Sequence, residues 1–112
     1  MAGIYLQQEY NIAAGDTETV SIDCTDHLDG TELLSTVDSV TVSSGPTGST
    51  ISNEAVSTST YVDAYRAVTV AVGCAAQFKL ATTTTTGTYD VKYQVTTDAG
   101  RIWTRHVLIH AL

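Results

Sequence analysis

Apolar and polar residues alternate along most of this chain, in short stretches separated by turn-forming residues. That period of two predicts strands. Ile4 and Leu6 alternate with Tyr5 and Gln7 in a first predicted strand, and Ala13-Ala14-Gly15-Asp16 reads as a turn. Glu18, Val20, Ile22 and Cys24 then alternate with Thr19, Ser21 and Asp23. Residues 25–35 read as a long connection or one short turn. Alternation resumes over residues 37–43, where Val40 and Val42 stand between polar neighbours. Gly45-Pro46-Thr47-Gly48 is the strongest breaker in the chain. Residues 49–60 are polar and weakly patterned, as an edge strand followed by a loop would be. Residues 67–72, closed by Gly73, and residues 77–81 predict two further strands.

The clearest alternation comes last. Tyr89, Val91, Tyr93 and Val95 fall on one face, with Asp90, Lys92, Gln94 and Thr96 on the other. Asp98-Ala99-Gly100 turns the chain, and residues 101–110 return as the partner strand of a hairpin. No segment longer than about eight residues carries a helical period. Seven or eight strands in one domain, residues 1–112, predict an immunoglobulin-like antiparallel β-sandwich. Tyr89 fits that fold's tyrosine corner. It sits near the start of the sixth strand, two residues before the core position Val91, where its hydroxyl can bond back to the preceding connection.

Composition supports strands and says less about chemistry. The chain has 112 residues, 43 % hydrophobic and 15 % charged, against a usual charged share of about 25 %. Thr and Ser fill the difference, Thr82 to Thr86 being an unbroken run. Apolar residues spread along the whole length, with a single Pro, argue against disorder. No apolar run approaches the roughly 20 residues needed to span a bilayer. The first residues show no basic region followed by an apolar stretch, so synthesis in the cytoplasm is expected. Charge is unevenly placed. Residues 1–65 hold ten acidic residues and no Lys or Arg, whereas the rest holds five basic residues and only Asp90 and Asp98. The two parts carry −10 and +3, together −7. A contiguous basic face for nucleic acid is not expected from this distribution.

Candidate chemistry is sparse. Cys24 and Cys74 are the only cysteines, and two free, buried thiols are expected. His106 and His110 are four apart on one predicted strand, about 13 Å, too far to share a metal ion. Asp26-His27-Leu28-Asp29-Gly30, with Asp23 and Glu32 nearby, lacks the alternate-residue spacing of a calcium loop. No nucleophile elbow or phosphate-cradling loop is present, so no enzyme activity, metal or cofactor is expected. Arg101, Trp103 and Arg105 share one face of the last strand, and Trp with Arg is a pairing enriched at protein–protein contacts. Val107 and Ile109 lie on the same face. Trp103 is therefore either an interface residue or a core residue with arginines at the rim.

The block Gly87-Thr88-Tyr89-Asp90-Val91-Lys92-Tyr93-Gln94-Val95-Thr96-Thr97-Asp98-Ala99-Gly100-Arg101 resembles the end of small tailed-bacteriophage virion proteins described as fibre–tail adaptors. In that pattern a Gly-x-Tyr strand runs into Thr-Thr-x-x-Gly-Arg, then into a final strand with a second Arg, here Arg105. Leu28-Asp29-Gly30-Thr31-Glu32, followed by residues 37–42, resembles the family's Leu-x-x-Gly-Asp-x-Ile turn and strand. The resemblance implies a β-sandwich that sits in a ring at the phage neck or tail. It would join the connector or tube to another virion part, with no cofactor and no contact with nucleic acid or membrane. The expected partners are portal or connector, tail, fibre or capsid proteins and further copies of the chain. The expected location is the virion, after synthesis in the host cytoplasm. Two alternatives remain open: a capsid decoration protein, and a carbohydrate- or ligand-binding module using exposed tyrosines such as Tyr61 and Tyr65.

Overall fold

A computed structural model describes residues 9–63 and 67–112. Among them run nine strands: β1 Glu9–Ile12, β2 Thr17–Asp23, β3 Leu34–Ser44, β4 Thr50–Val56, β5 Tyr61–Asp63, β6 Val68–Val70, β7 Ala75–Ala81, β8 Gly87–Thr97 and β9 Ile102–Ala111. A 3-10 turn at Thr25–His27 interrupts the long connection between β2 and β3. Seven strands make two sheets, ordered β1-β9-β8-β3 and β2-β7-β4, while β5 and β6 pair separately. The domain is all-β.

Alternation in the sequence becomes burial in the structure. Tyr89, Val91, Tyr93 and Val95 of β8 are all buried, as are Val107 and Ile109 of β9. Val20 and Ile22 of β2 and Phe78 and Leu80 of β7 meet them in one cluster, so both sheets share a single core. Each such side chain stabilises the fold by about 1.5–3 kcal/mol relative to exposure. At the end of the β2–β7 pair the two cysteines are free and buried, with the Cys24 amide donating to the Cys74 carbonyl at 2.8 Å. Burial pushes the Cys24 thiol up to about 12, so it behaves as a small apolar group.

Several expectations need correction. Residues 4–7 lie outside the described residues, and the strand described nearby is β1. That strand pairs with β9 in parallel, Glu9 opposite Leu108 and Ile12 opposite Ala111, so the larger sheet is not wholly antiparallel. Nearly the whole chain separates the two strands, and no tight turn imposes a direction on them. Among the described residues there are nine strands against the seven or eight expected, because Tyr61–Asp63 adds a short strand that pairs with Val68–Val70. In β3 the register shifts between Val37 and Ser39, placing Val37 opposite Val95 and Val40 opposite Tyr93. This bulge lets two valines three residues apart face the same core. It also turns Asp38 outward, where Thr36 and Thr96 hydroxyls each donate to its carboxylate at 2.6 Å. Those two bonds hold the Asp38 carboxyl below its ordinary range.

Candidate functional site

Three chain segments converge at one end of the core: the 3-10 turn, the loop that leads into β3, and the β8–β9 turn. Each has a local reason for its shape. Asp23 accepts from the Thr25 amide at 2.9 Å and from the Thr25 hydroxyl at 2.5 Å, starting the 3-10 turn. Asp29 to Glu32 forms a tight turn, with the Glu32 amide donating to the Asp29 carbonyl at 2.8 Å. In the hairpin the Thr97 amide donates to the Arg101 carbonyl at 2.8 Å, closing a three-residue loop. Gly100 occupies its left-handed position at φ +82°, a conformation most side chains resist.

Arg101 ties these segments together. Its Nε donates to Glu32 Oε2 at 3.0 Å, and its Nη2 bonds Glu32 Oε1, making a bidentate pair. The same Nη2 donates to the His27 carbonyl at 2.5 Å and lies 3.7 Å from an Asp29 carboxylate oxygen. The Thr97 hydroxyl adds a third donor to Glu32, at 2.5 Å from Oε2. A buried carboxylate is tolerated only when so paired. The Arg101 guanidinium, then the Thr97 hydroxyl, hold Glu32 down at about 2, and Glu32 in turn raises Arg101. Loop and hairpin are also stitched by the Asp98 amide donating to the Leu33 carbonyl at 2.9 Å.

Trp103 stands beside this clamp. The Arg101 guanidinium carbon lies 5.5 Å from the centre of its ring, and the His27 ring centre lies 5.7 Å away at 54°. Trp103 is half-buried against the core, opposite Val95 on β8. Its indole Nε1 is enclosed and meets no acceptor among the described residues. Arg105, two residues further along the same face, donates from Nη1 to the Thr104 carbonyl at 2.9 Å. Burial, then the nearby Arg105 charge, lowers the His27 pKa, so the ring is held neutral.

The structure thus brings Arg101, Trp103 and Arg105 together, but in different situations. Arg101 precedes β9 and is engaged within the fold. Glu32 and His27, its main partners, were not expected from the sequence as members of this site. The signal that could have found them is the resemblance itself, since its two separate blocks are the ones Arg101 and Glu32 join.

On the outer face of the larger sheet, His106 meets Asp90 at 2.7 Å, and His110 lies between Glu9 at 2.9 Å and Thr88 at 3.0 Å. Each histidine has its own carboxylate. Tyr61 is half-buried against Val70, Cys74 and Ala75 rather than exposed, and Tyr65 lies outside the described residues. Among the described residues no group of three or more His, Cys, Asp or Glu could hold a metal ion. Comparison with protein-family models, curated proteins and solved structures finds no match to this chain.

Proposed function

We propose that this chain is an immunoglobulin-like structural module of a tailed-bacteriophage particle, a neck or tail adaptor. It contacts copies of itself and neighbouring virion proteins in a closed ring and has no catalytic role. Two features favour the immunoglobulin-like assignment. With β1 to β4 and β7 to β9 read as strands A to G, one sheet holds C, F and G and the other B, E and D. Here strand A lies beside G. Tyr89 also makes the corner bond, its hydroxyl accepting from the Thr83 amide at 3.4 Å.

The observation that carries the virion reading is the contact between the two blocks that resemble fibre–tail adaptors. The turn ending at Glu32 and the hairpin ending at Arg101 are bonded to each other by the Arg–carboxylate pair. Two motifs that look unrelated along the chain form one structural unit, as parts of one family pattern should. In this reading Trp103 and Arg105 are the contact residues, and Arg101 positions them.

The test is the copy number of the protein per purified particle, measured by quantitative mass spectrometry against the portal and major capsid proteins. About six to a dozen copies is the expected result, from a cyclic ring. Hundreds would make it a capsid decoration protein. Absence from the particle would overturn the virion reading and favour a ligand-binding module.

A further inference from the structure

The two cysteines stand opposite each other where the β2–β7 ladder ends. Its last register pair is Asp23 with Ala75, and one step further the Cys24 amide donates to the Cys74 carbonyl at 2.8 Å. A hydrogen-bonded antiparallel pair of this kind holds its Cα atoms about 5.5 Å apart. Disulfides span Cα separations of about 4.4–6.8 Å, so this pair falls inside the range. Directly opposite residues also project to the same face of a ladder. On β2 that face leads through Val20 and Ile22 to Cys24, and on β7 it carries Ala76, Phe78 and Leu80, all in the shared core.

The surroundings of the pair differ on its two sides. Cys24 is 0 % exposed and sits in the shared core, while Cys74 is 8 % exposed and packs with Val70 and Ala75 in a smaller cluster. Leu28 packs against both clusters. Opposite Cβ atoms stand about 4.5–5.5 Å apart, against the 3.5–4.5 Å of a disulfide. A bond therefore needs the two side chains turned toward each other and a backbone shift of about 1 Å. Both partners lie where the ladder gives way to turns, with the 3-10 turn starting at Thr25 on one side and Gly73 at φ +80° on the other. A shift confined to those turns leaves the ladder from Thr17 to Asp23 in place.

We infer that Cys24 and Cys74 are a redox pair, open as two thiols in a reducing medium and closed to a cross-strand disulfide by a small-molecule disulfide. Cys74, the more exposed, attacks one sulfur of the oxidant as its thiolate, and the other half of the oxidant leaves as a thiolate and takes up a proton. Cys24 then gives its proton to solvent and attacks the Cys74 sulfur, displacing the second half, which is protonated in turn. In sum the two cysteines give up two protons and two electrons, and one oxidant disulfide becomes two thiols. Burial holds the Cys24 thiol at about 12, so its thiolate is scarce and the second step is the slow one. The bond closes a loop of about 50 residues and so restrains the unfolded chain. The inference goes beyond the adaptor reading and does not depend on it, because it rests on strand register and burial.

The experiment incubates the reduced, full 112-residue chain with excess cystamine, well below its melting temperature. Intact mass and mapping of non-reduced peptides follow the thiols. The expected product is a single chain lighter by two hydrogens, with Cys24 linked to Cys74 and no cysteamine retained. Its Tm should rise by about 8–16 °C, and dithiothreitol should reverse the rise. In Cys24→Ala, which keeps a small apolar group in the core, Cys74 should retain one cysteamine, because no second thiol displaces it. Two unreacted thiols in the parent chain overturn the proposal. So does cysteamine left on Cys74 of the parent, a bond between two chains in place of one within a chain, an unchanged or lowered Tm, or an unreacted Cys74 in folded Cys24→Ala.

Discussion

Replacing Tyr89 with phenylalanine removes one oxygen and leaves the ring, so it isolates the corner bond. The Tyr89 side chain is fully buried, and its hydroxyl accepts from the Thr83 amide at 3.4 Å. That separation is long for an N–H···O bond, whose usual range centres near 2.9–3.0 Å. Thr83 is only half-buried, so water can serve its amide once the hydroxyl is gone. Both facts put the cost in the lower part of the range for a single neutral bond, about 0.5–1 kcal/mol. For 112 residues, at about 2.1 cal/mol/K of unfolding entropy per residue, this lowers Tm by about 2–4 °C. Gly45→Ala should cost much more. A Cβ there would lie 2.7 Å from Tyr89 Cδ1 and 3.1 Å from its Cα, at a backbone φ of +142°. The corner cannot yield without moving β8, and a loss of about 2–4 kcal/mol is expected. Urea denaturation followed by circular dichroism, with an unchanged slope, reads both variants. A Phe variant as stable as the parent would show that the hydroxyl pins nothing. A loss above about 2 kcal/mol would show that more than one bond is at stake.

Acid should weaken the fold through Glu32. Its folded pKa of about 2 lies below its ordinary 4.5, so the unfolded chain takes up the proton first as pH falls. The stability from the Arg101 pair is therefore complete above about pH 5 and lost between 4.5 and 2. Glu32→Gln should flatten this part of a stability-against-pH curve, and parallel curves for variant and parent would contradict the pairing. His27 has a lowered pKa as well, so its contribution is full above 6.5 and is lost as pH falls through the folded value. Arg105→Gln should move the NMR titration of His27 upward, and no movement would place Arg105 away from the ring. Trp103→Ala removes a half-buried side chain, so a loss of about 1.5–3 kcal/mol is expected, below the 3–5 of a fully buried aromatic. Sizing chromatography of the folded variant should then show weakened self-association, whereas a loss beyond about 4 kcal/mol would make Trp103 a core residue and remove it from the interface.

What the sequence revealed depended on how much of each element's signal was local. Alternation in β2 and β8 is local, and both strands stand where the pattern predicts them. The β8–β9 turn is equally legible, since Asp98-Ala99-Gly100 contains the glycine its left-handed position requires. β1 and β5 are short, at four and three residues, and offer too few positions for a period to show. Parallel pairing of β1 with β9 is a contact between the two ends of the chain, which no window of neighbouring residues can register. The bulge at Asp38 hides Val37 from a strict period of two. The site divides in the same way. Trp103 and Arg105 share a face because they are two apart on a strand, but Arg101 owes its place to Glu32, 69 residues away.

The same non-local pairing explains the lopsided charge. Read along the chain, ten acidic residues precede every basic one, which looks like two poles. The topology places β9 beside β1 and β8 beside β3, so the acidic half lies directly against the half that holds most of the cations and histidines. Glu32 and Asp29 meet Arg101, Glu9 meets His110, and Asp38 takes the Thr96 hydroxyl. Each of these contacts joins a residue before position 40 to one after position 95. Part of the segregation in sequence is thus converted into cross-strand and loop-to-hairpin contacts that favour the native pairing.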